Sequence, residues 1–320
     1  MSSQLVSIPP PASGGNRLPP NAQLPETSDL AEGDDEDHCW TELQLAAKDG
    51  GLSKVEDLLA QGADVNAAPR GYYGNTALQA ACLFGHEDIS RRLIDAGADV
   101  NAAGGNNGAR NALQQACAVG HEPIVSLLLK SGADINSPAG RYHGRTALQA
   151  AAEAGHLTTV LTLIEKGADI NARAGGTGGL TALQAAASGG HVKIVKLLVE
   201  KGANINAPAT RHKGLTALQA ASLRGDLELV NLLIEAGAKV NAPGSSFKGG
   251  RALHAAAERG HTEVAKRLLE AGARQDATSG WSHQTALQSA AVCGQEDMIQ
   301  LLRSHGAVGS LGGGSMLFDL

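Results

Sequence analysis

Apolar residues recur along this chain at a spacing much longer than the period of a single helix or strand. One leucine column advances by 35 residues at each step, and by 34 at the last: Leu43, Leu78, Leu113, Leu148, Leu183, Leu218, Leu253 and Leu287. Eight copies of one unit therefore run from about Thr41 to Ala307. A fixed period of about 20 to 50 residues predicts stacked repeats that form a solenoid.

Each copy carries the signals of two short helices. In copy four, Thr146 and Gln149 form a capping box, which predicts a first helix that begins at Ala147. Gly155 follows where a helix can end in the left-handed conformation. The apolar stripe of Ile124, Val125 and Leu128 in copy three predicts the second helix. Two glycine columns close the helices: Gly50, Gly85, Gly120, Gly155, Gly190, Gly225, Gly260 and Gly294, then Gly62, Gly97, Gly132, Gly167, Gly202, Gly237, Gly272 and Gly306.

This unit resembles the ankyrin repeat, whose signature reads T-P-L-H-x-A. Here Ala replaces Pro, Gln replaces His except at His254, and the loop between copies is longer. The TALQAA form is similar to ankyrin arrays of filamentous-fungal proteins. The resemblance implies an all-α solenoid of about eight repeats with short β-hairpin fingers. Its repeats start near residues 41, 76, 111, 146, 181, 216, 251 and 285.

The chain divides into an array and two tails. Residues 1–38 are rich in proline and carry seven acidic residues against Arg17, so we expect a disordered tail. Its charge of −6 (1 minus 7) equals the formal charge of the whole chain. The array occupies 39–308, and 309–320 form a Gly/Ser-rich tail. The terminal Met316 to Leu320 is either a docking peptide or a frayed end.

Composition adds expectations about the core and the compartment. Aromatic residues are only 2%, so Ala, Leu, Ile and Val from adjoining repeats must fill the core. Cys82 and Cys117 occupy equivalent positions, roughly 8 to 10 Å apart, which is beyond disulfide reach. We expect free thiols, no signal peptide and no apolar run long enough to enter a membrane. The predicted location is intracellular, either cytoplasmic or nuclear.

The loops between copies differ from the helices in charge. These seven loops, here called the finger edge, are residues 67–75, 102–110, 137–145, 172–180, 207–215, 242–250 and 277–284, and none contains Asp or Glu. They carry eight cations: Arg70, Arg110, Arg141, Arg145, Arg173, Arg211, Lys213 and Lys248. The ankyrin resemblance implies that partners bind along this edge and the adjoining concave face. The alternative is that the cations only keep the loops solvated.

One loop position also carries large side chains. The residues there are Tyr72, Tyr142, His212, Phe247 and Trp281, with Asn107 and Thr177 in the two remaining loops. Large rings on exposed loops favour anchors for a partner. Equally, the rings can cover the backbone of neighbouring loops.

The sequence predicts no catalytic, cofactor-binding or metal-binding residue. Gly175 to Gly179 is rich in glycine but lacks the Lys-Ser/Thr of a P-loop and does not follow a strand. A histidine follows the first glycine in five copies, which indicates a repeated structural position and not a converging metal site: His86, His121, His156, His191 and His261. The column beginning with Asn66 resembles the ankyrin asparagine that holds loop backbone by hydrogen bonds.

These observations support a non-enzymatic scaffold, a monomeric array that binds an acidic or extended protein segment. The alternative is a regulatory or sensor region of a larger enzyme or signalling ATPase. Nucleic-acid binding is a third hypothesis, which a pI near 6.0 and a net charge of −6 make unlikely.

Overall fold

A computed structural model describes residues 40–69, 74–104, 110–140, 144–176, 178–211, 214–245, 250–278 and 284–309. All of these belong to the unit Cys39–Leu320. Residues 1–38 and residues 310–320 of the predicted tails lie outside the described residues, so the tail boundaries and the disorder stay predictions.

The described residues contain sixteen α-helices, two in every copy, as the repeat pattern predicts. The first helices are α1 (Glu42–Asp49), α3 (Ala77–Phe84), α5 (Ala112–Val119), α7 (Ala147–Ala154), α9 (Ala182–Gly189), α11 (Ala217–Arg224), α13 (Ala252–Arg259) and α15 (Ala286–Val292). The second helices are α2 (Leu52–Ala60), α4 (Glu87–Asp95), α6 (Glu122–Lys130), α8 (Leu157–Glu165), α10 (Val192–Glu200), α12 (Leu227–Glu235), α14 (Thr262–Glu270) and α16 (Glu296–Ser304).

The predicted capping signals set the ends of the first helices. At α7, the Thr146 hydroxyl accepts from the Gln149 N–H at 3.3 Å, and the Gln149 side-chain oxygen accepts from the Thr146 N–H at 3.0 Å. The same box begins every first helix except α13. Gly155 ends α7 at a φ of 87°, a left-handed conformation that costs glycine little. The box and the glycine together fix the length of the helix.

The helices form two layers with the core between them. Each first helix packs against its own second helix and against the first helix of the next copy. The leucine column and the predicted stripe of Ile124, Val125 and Leu128 are buried. Each fully buried leucine contributes about 1.5 to 3 kcal/mol from area removed from water. Stability therefore comes from contacts within a copy and between neighbouring copies.

Two columns of polar side chains, one of Gln and one of Asn, join these layers to the loops and to the next copy. Gln149 Nε2 donates to the carbonyls of Ala172 and Arg173 at 3.0 and 3.2 Å, which ties α7 to the following loop. Asn136 reaches the next copy, donating to Gly167 O at 3.2 Å and accepting from the Asp169 N–H at 2.8 Å. These bonds fix the base of each loop against the helices.

Histidines in the column that follows the first glycine join a copy to the one before it, with hydrogen bonds described for His86, His156, His191 and His261. His191 Nε2 lies 3.0 Å from the carbonyl oxygen of Glu153, and His86 Nε2 lies 3.0 Å from that of Lys48. The ring also covers the glycine that ends the preceding first helix, since a Cβ added at Gly155 would lie 2.5 Å from His191. The histidine ring therefore occupies space that a side chain larger than glycine would fill. This agrees with a structural role for the histidine column.

Within the described residues no strand is present. The predicted hairpins would lie mainly at loop residues 70–73, 105–109, 141–143, 212–213, 246–249 and 279–283, which are outside the described ranges. Cys82, Cys117 and Cys293 are free thiols, as expected. Burial raises the pKa of Cys82 to about 12, against a smaller opposing effect of its contact with Ser90, so this thiol stays protonated and unreactive.

Candidate functional site

The finger edge is the candidate site, and the structure describes four of its predicted binding residues: Arg110, Arg145, Arg173 and Arg211. The other nine lie outside the described residues: Arg70, Tyr72, Arg141, Tyr142, His212, Lys213, Phe247, Lys248 and Trp281. Their proposed role in binding stays a prediction.

Arg173 and Arg211 are exposed cations in successive loops. The backbone of Arg173 is held because its carbonyl accepts from Gln149 Nε2 at 3.2 Å. Its side chain therefore extends into solvent from a fixed position. Both arginines are exposed, as we expected of all eight cations of the finger edge.

Arg145 departs from that expectation, because it is buried inside the array with its side chain 6% exposed. Its Nε and Nη2 donate to the two carboxylate oxygens of Glu153 at 2.7 and 2.9 Å. Its Nη1 donates to the carbonyls of Gly144 and Gly178, each at 3.2 Å. The loop folds this residue back along α7, so Arg145 joins α7 to the next loop instead of facing a partner.

Arg110 occupies the same position one copy earlier, directly before the N-cap Asn111 of α5. It is half-buried, and within the described part of the chain its guanidinium makes no hydrogen bond or ion pair. Burial lowers the pKa of Arg110, while the Glu153 carboxylate raises it and the Arg145 charge lowers it. The group remains charged at neutral pH, because arginine is protonated throughout the physiological range.

Gln115 holds the backbone around Arg110. Its Nε2 donates to Asn75 Oδ1 at 2.6 Å and to the Arg110 carbonyl at 3.2 Å. Its Oε1 is buried without a hydrogen bond in the described residues, and an unsatisfied buried acceptor costs roughly 1 to 3 kcal/mol. Gln115 therefore fixes the bases of two neighbouring loops at a cost in stability.

Sequence reasoning missed Gln115 and Glu153. The signal for Gln115 was a polar side chain in a column that holds alanine at Ala80, Ala150 and Ala185. The signal for Glu153 was an acid that follows Arg145 by eight residues, about two helical turns into the helix that begins just after Arg145. In copy three that position is Ala118, which is buried and carries no charge.

Arg145 and Glu153 form an ion pair, and both interact electrostatically with Arg110, so these three residues are here called the arginine cluster. It holds two guanidinium groups and one carboxylate, with a net charge of +1 (2 minus 1). Its surplus charge favours anions, and its one carboxylate, Glu153, is engaged by Arg145. Among the described residues no three metal-ligating side chains come together. No described helix has the length and apolar character needed to cross a bilayer.

Comparison with known proteins identifies a family that this chain matches. A family model described as ankyrin repeats matches residues 43–139, 103–174, 175–244 and 242–310. The crystal structure of the human ASB11 ankyrin repeat domain is 29% identical, with a TM-score of 0.59. That match covers 73% of this chain and 99% of the other. No match was found among curated proteins.

Proposed function

The chain belongs to the ankyrin-repeat family, whose repeats are generally protein–protein interaction modules, and we propose that it is a non-catalytic scaffold for an acidic or extended protein segment. The segment binds along the finger edge and the face formed by the first helices. The observation that carries this proposal is the charge of the loops, which hold eight cations and no acidic residue.

Two described loop residues support the proposed attraction between the finger edge and an acidic segment. Arg173 and Arg211 are exposed, and within the described residues neither side chain forms an ion pair. An approaching acidic segment therefore meets cations that no neighbouring carboxylate neutralises. Complementary charge at such an edge raises the association rate more than it raises affinity.

The loop aromatics supply the apolar part of the proposed surface. Tyr72, Tyr142, Phe247 and Trp281 recur at the repeat spacing, between the cations. Buried aromatic anchors dominate many interfaces, and truncating one typically costs more than about 2 kcal/mol. A segment that alternates carboxylates with apolar groups fits this combination best.

The experiment is selection of short peptides from a random display library on the full-length protein. Recovered peptides should be rich in Asp and Glu. Reversal of the exposed cations (Arg173→Glu with Arg211→Glu) should slow association and weaken its dependence on salt. Phe247→Ala or Trp281→Ala should instead accelerate dissociation. Arg145→Glu is unsuitable here, because Arg145 is buried and pairs with Glu153.

Two results would contradict the proposal. One is recovery of peptides without acidic enrichment, and the other is binding that the charge reversal leaves unchanged. Circular dichroism should show that the reversed variant keeps its helices, since both side chains lie in solvent. If Phe247→Ala lowers the melting temperature by many degrees and leaves binding intact, the aromatic column is structural.

A further inference from the structure

The arginine cluster has two guanidinium groups and one carboxylate, so one positive charge is not neutralised within the cluster. Within the described residues Arg145 donates four hydrogen bonds, two of them to the carboxylate oxygens of Glu153. Two parallel bonds of this kind give the bidentate geometry in which arginine binds carboxylates most strongly. Glu153 is therefore already engaged in its best pairing.

Arg110 has no such partner. The position on α5 that corresponds to Glu153 is Ala118, so copy three provides no acid for its own arginine. Glu153 acts on Arg110 electrostatically but makes no ion pair with it in the described structure. One guanidinium is thus left with its hydrogen-bond donors available at the base of a loop.

The position of Arg110 is nevertheless fixed. Gln115 binds its carbonyl at 3.2 Å, and the neighbouring Asn111 begins α5 with a capping box. Partial burial adds to this, since a half-desolvated guanidinium pairs more strongly with an anion than a fully hydrated one. The side chain therefore starts from an anchored backbone, which reduces the entropy lost when a ligand orders it.

We propose that Arg110 is a carboxylate-binding position that pairs with one Asp or Glu side chain of a bound protein segment. This inference rests on the proposed function and locates one contact within it. The surplus charge of the cluster is +1, which matches one carboxylate. A phosphodiester of nucleic acid also carries one negative charge, so the charge of the cluster does not distinguish the two ligands. The net charge of −6 of the whole chain favours a protein segment over nucleic acid.

The test measures binding of fluorescein-labelled octaglutamate to the full-length protein by fluorescence anisotropy. Arg110→Gln should raise the dissociation constant by about tenfold or more, as expected for loss of a charge-assisted hydrogen-bonded pair. Arg303→Gln is the matched control, because it removes the same charge from an exposed side chain on the second helix α16, outside the finger edge, and it should change the constant by less than about threefold. Arg110→Lys should bind more weakly than wild type, since lysine keeps the charge but not the bidentate geometry.

A second variant acts in the opposite direction. Glu153→Gln removes the nearby negative charge and should lower the dissociation constant for octaglutamate by about threefold. It also removes the charged partner of Arg145, so circular dichroism must first identify a temperature at which it is folded. A gain in affinity in one variant and a loss in the other cannot come from general destabilisation.

Equal weakening by Arg110→Gln and Arg303→Gln would overturn the assignment, because it would indicate a diffuse electrostatic field and not a binding position. The assignment would also be overturned, in favour of a phosphate ligand, if binding of labelled octathymidylate depended on Arg110 and binding of octaglutamate did not. A different result would contradict the proposed function itself, namely that the selected peptides are not enriched in Asp and Glu. If acidic peptides are selected but bind Arg110→Gln as tightly as wild type, this inference alone fails.

Discussion

Copies one to six and copy seven form the same pair of helices with different hydrogen bonding. In the first six, a Thr or Asn cap and a Gln close the capping box, and that Gln also binds the following loop. Copy seven has Arg251 at the cap, without a side-chain capping bond, and His254 in place of Gln. At the position of the asparagine column, copy seven has Asp276, which pairs with the exposed Arg274 at 3.0 Å.

Helix geometry survives this change. α13 spans Ala252–Arg259, as long as the regular first helices, and Gly260 ends it at a φ of 72°. Leu253 and Ala256 are as deeply buried as their counterparts. The apolar columns and the glycines therefore determine the helix, while the polar columns add stability and fix the loops. The predictions below test that division, from the largest expected effect to the smallest.

The largest effect is expected from Gln184→Ala in copy five. Gln184 is buried; its oxygen accepts from the Thr181 N–H at 2.9 Å, and its Nε2 donates to Ala207 O at 3.0 Å and Pro208 O at 3.2 Å. Its removal leaves buried backbone groups unpaired and should lower the free energy of unfolding by roughly 2 to 4 kcal/mol. Urea denaturation followed by circular dichroism measures the change.

The matched variant in copy seven is His254→Ala, which should cost less. His254 is equally buried, but the hydrogen bond described for it is the one from Nε2 to Gln284 O at 3.0 Å, and its Nδ1 is buried without a partner. An equal loss in both variants would show that the Gln column adds no particular stability.

The second prediction restores the regular pattern in copy seven. Arg251→Thr with His254→Gln recreates the capping box and should stabilise the protein by about 1 kcal/mol or more, the usual value of an N-cap. Arg251 donates to the Asn241 carbonyl, so Arg251→Thr alone loses that bond and should gain less. A double variant less stable than wild type would show that Arg251 and His254 suit their surroundings better than the regular pair.

The third prediction compares the asparagine column with its interruption. Asn171 donates to Gly202 O at 3.1 Å and accepts from the Asn204 N–H at 2.8 Å, which ties copy four to copy five. Both bonds are exposed, so Asn171→Ala should cost about 1 kcal/mol. Asp276→Ala removes only an exposed ion pair and should be nearly neutral. Hydrogen exchange at Asn204 should accelerate in the first variant only.

Much of this fold could be predicted from the sequence because its determinants are local. Thr146, Gln149 and Gly155 fix a helix within ten residues, and the 35-residue period repeats the result. The course of the loops could not be predicted in the same way. Arg145 looks like a solvated loop cation until the loop turns it onto Glu153, and the role of Gln115 depends on Asn75 from the preceding copy.

The smallest effect concerns pH and isolates His254. Burial lowers the pKa of His254, helped by the Arg251 charge and opposed by its hydrogen bond to Gln284 O. In the unfolded chain a histidine has a pKa near 6.5, so the unfolded state binds more protons once the pH falls below that value. The stability associated with neutral His254 is therefore complete above about pH 6.5 and is lost as the pH falls through the lower, folded pKa.

His254→Gln should remove this part of the pH dependence, so its urea midpoint should fall less than that of wild type between about pH 7.5 and pH 5.5. Some dependence should remain, because burial and the neighbouring His156 and His86 also lower the pKa of His121. His121→Gln is thus the matched control, and the two substitutions should be additive, since they lie four copies apart. If His254→Gln shows the full wild-type change while His121→Gln abolishes it, the irregular copy does not contribute to the acid sensitivity, and the histidine column accounts for all of it.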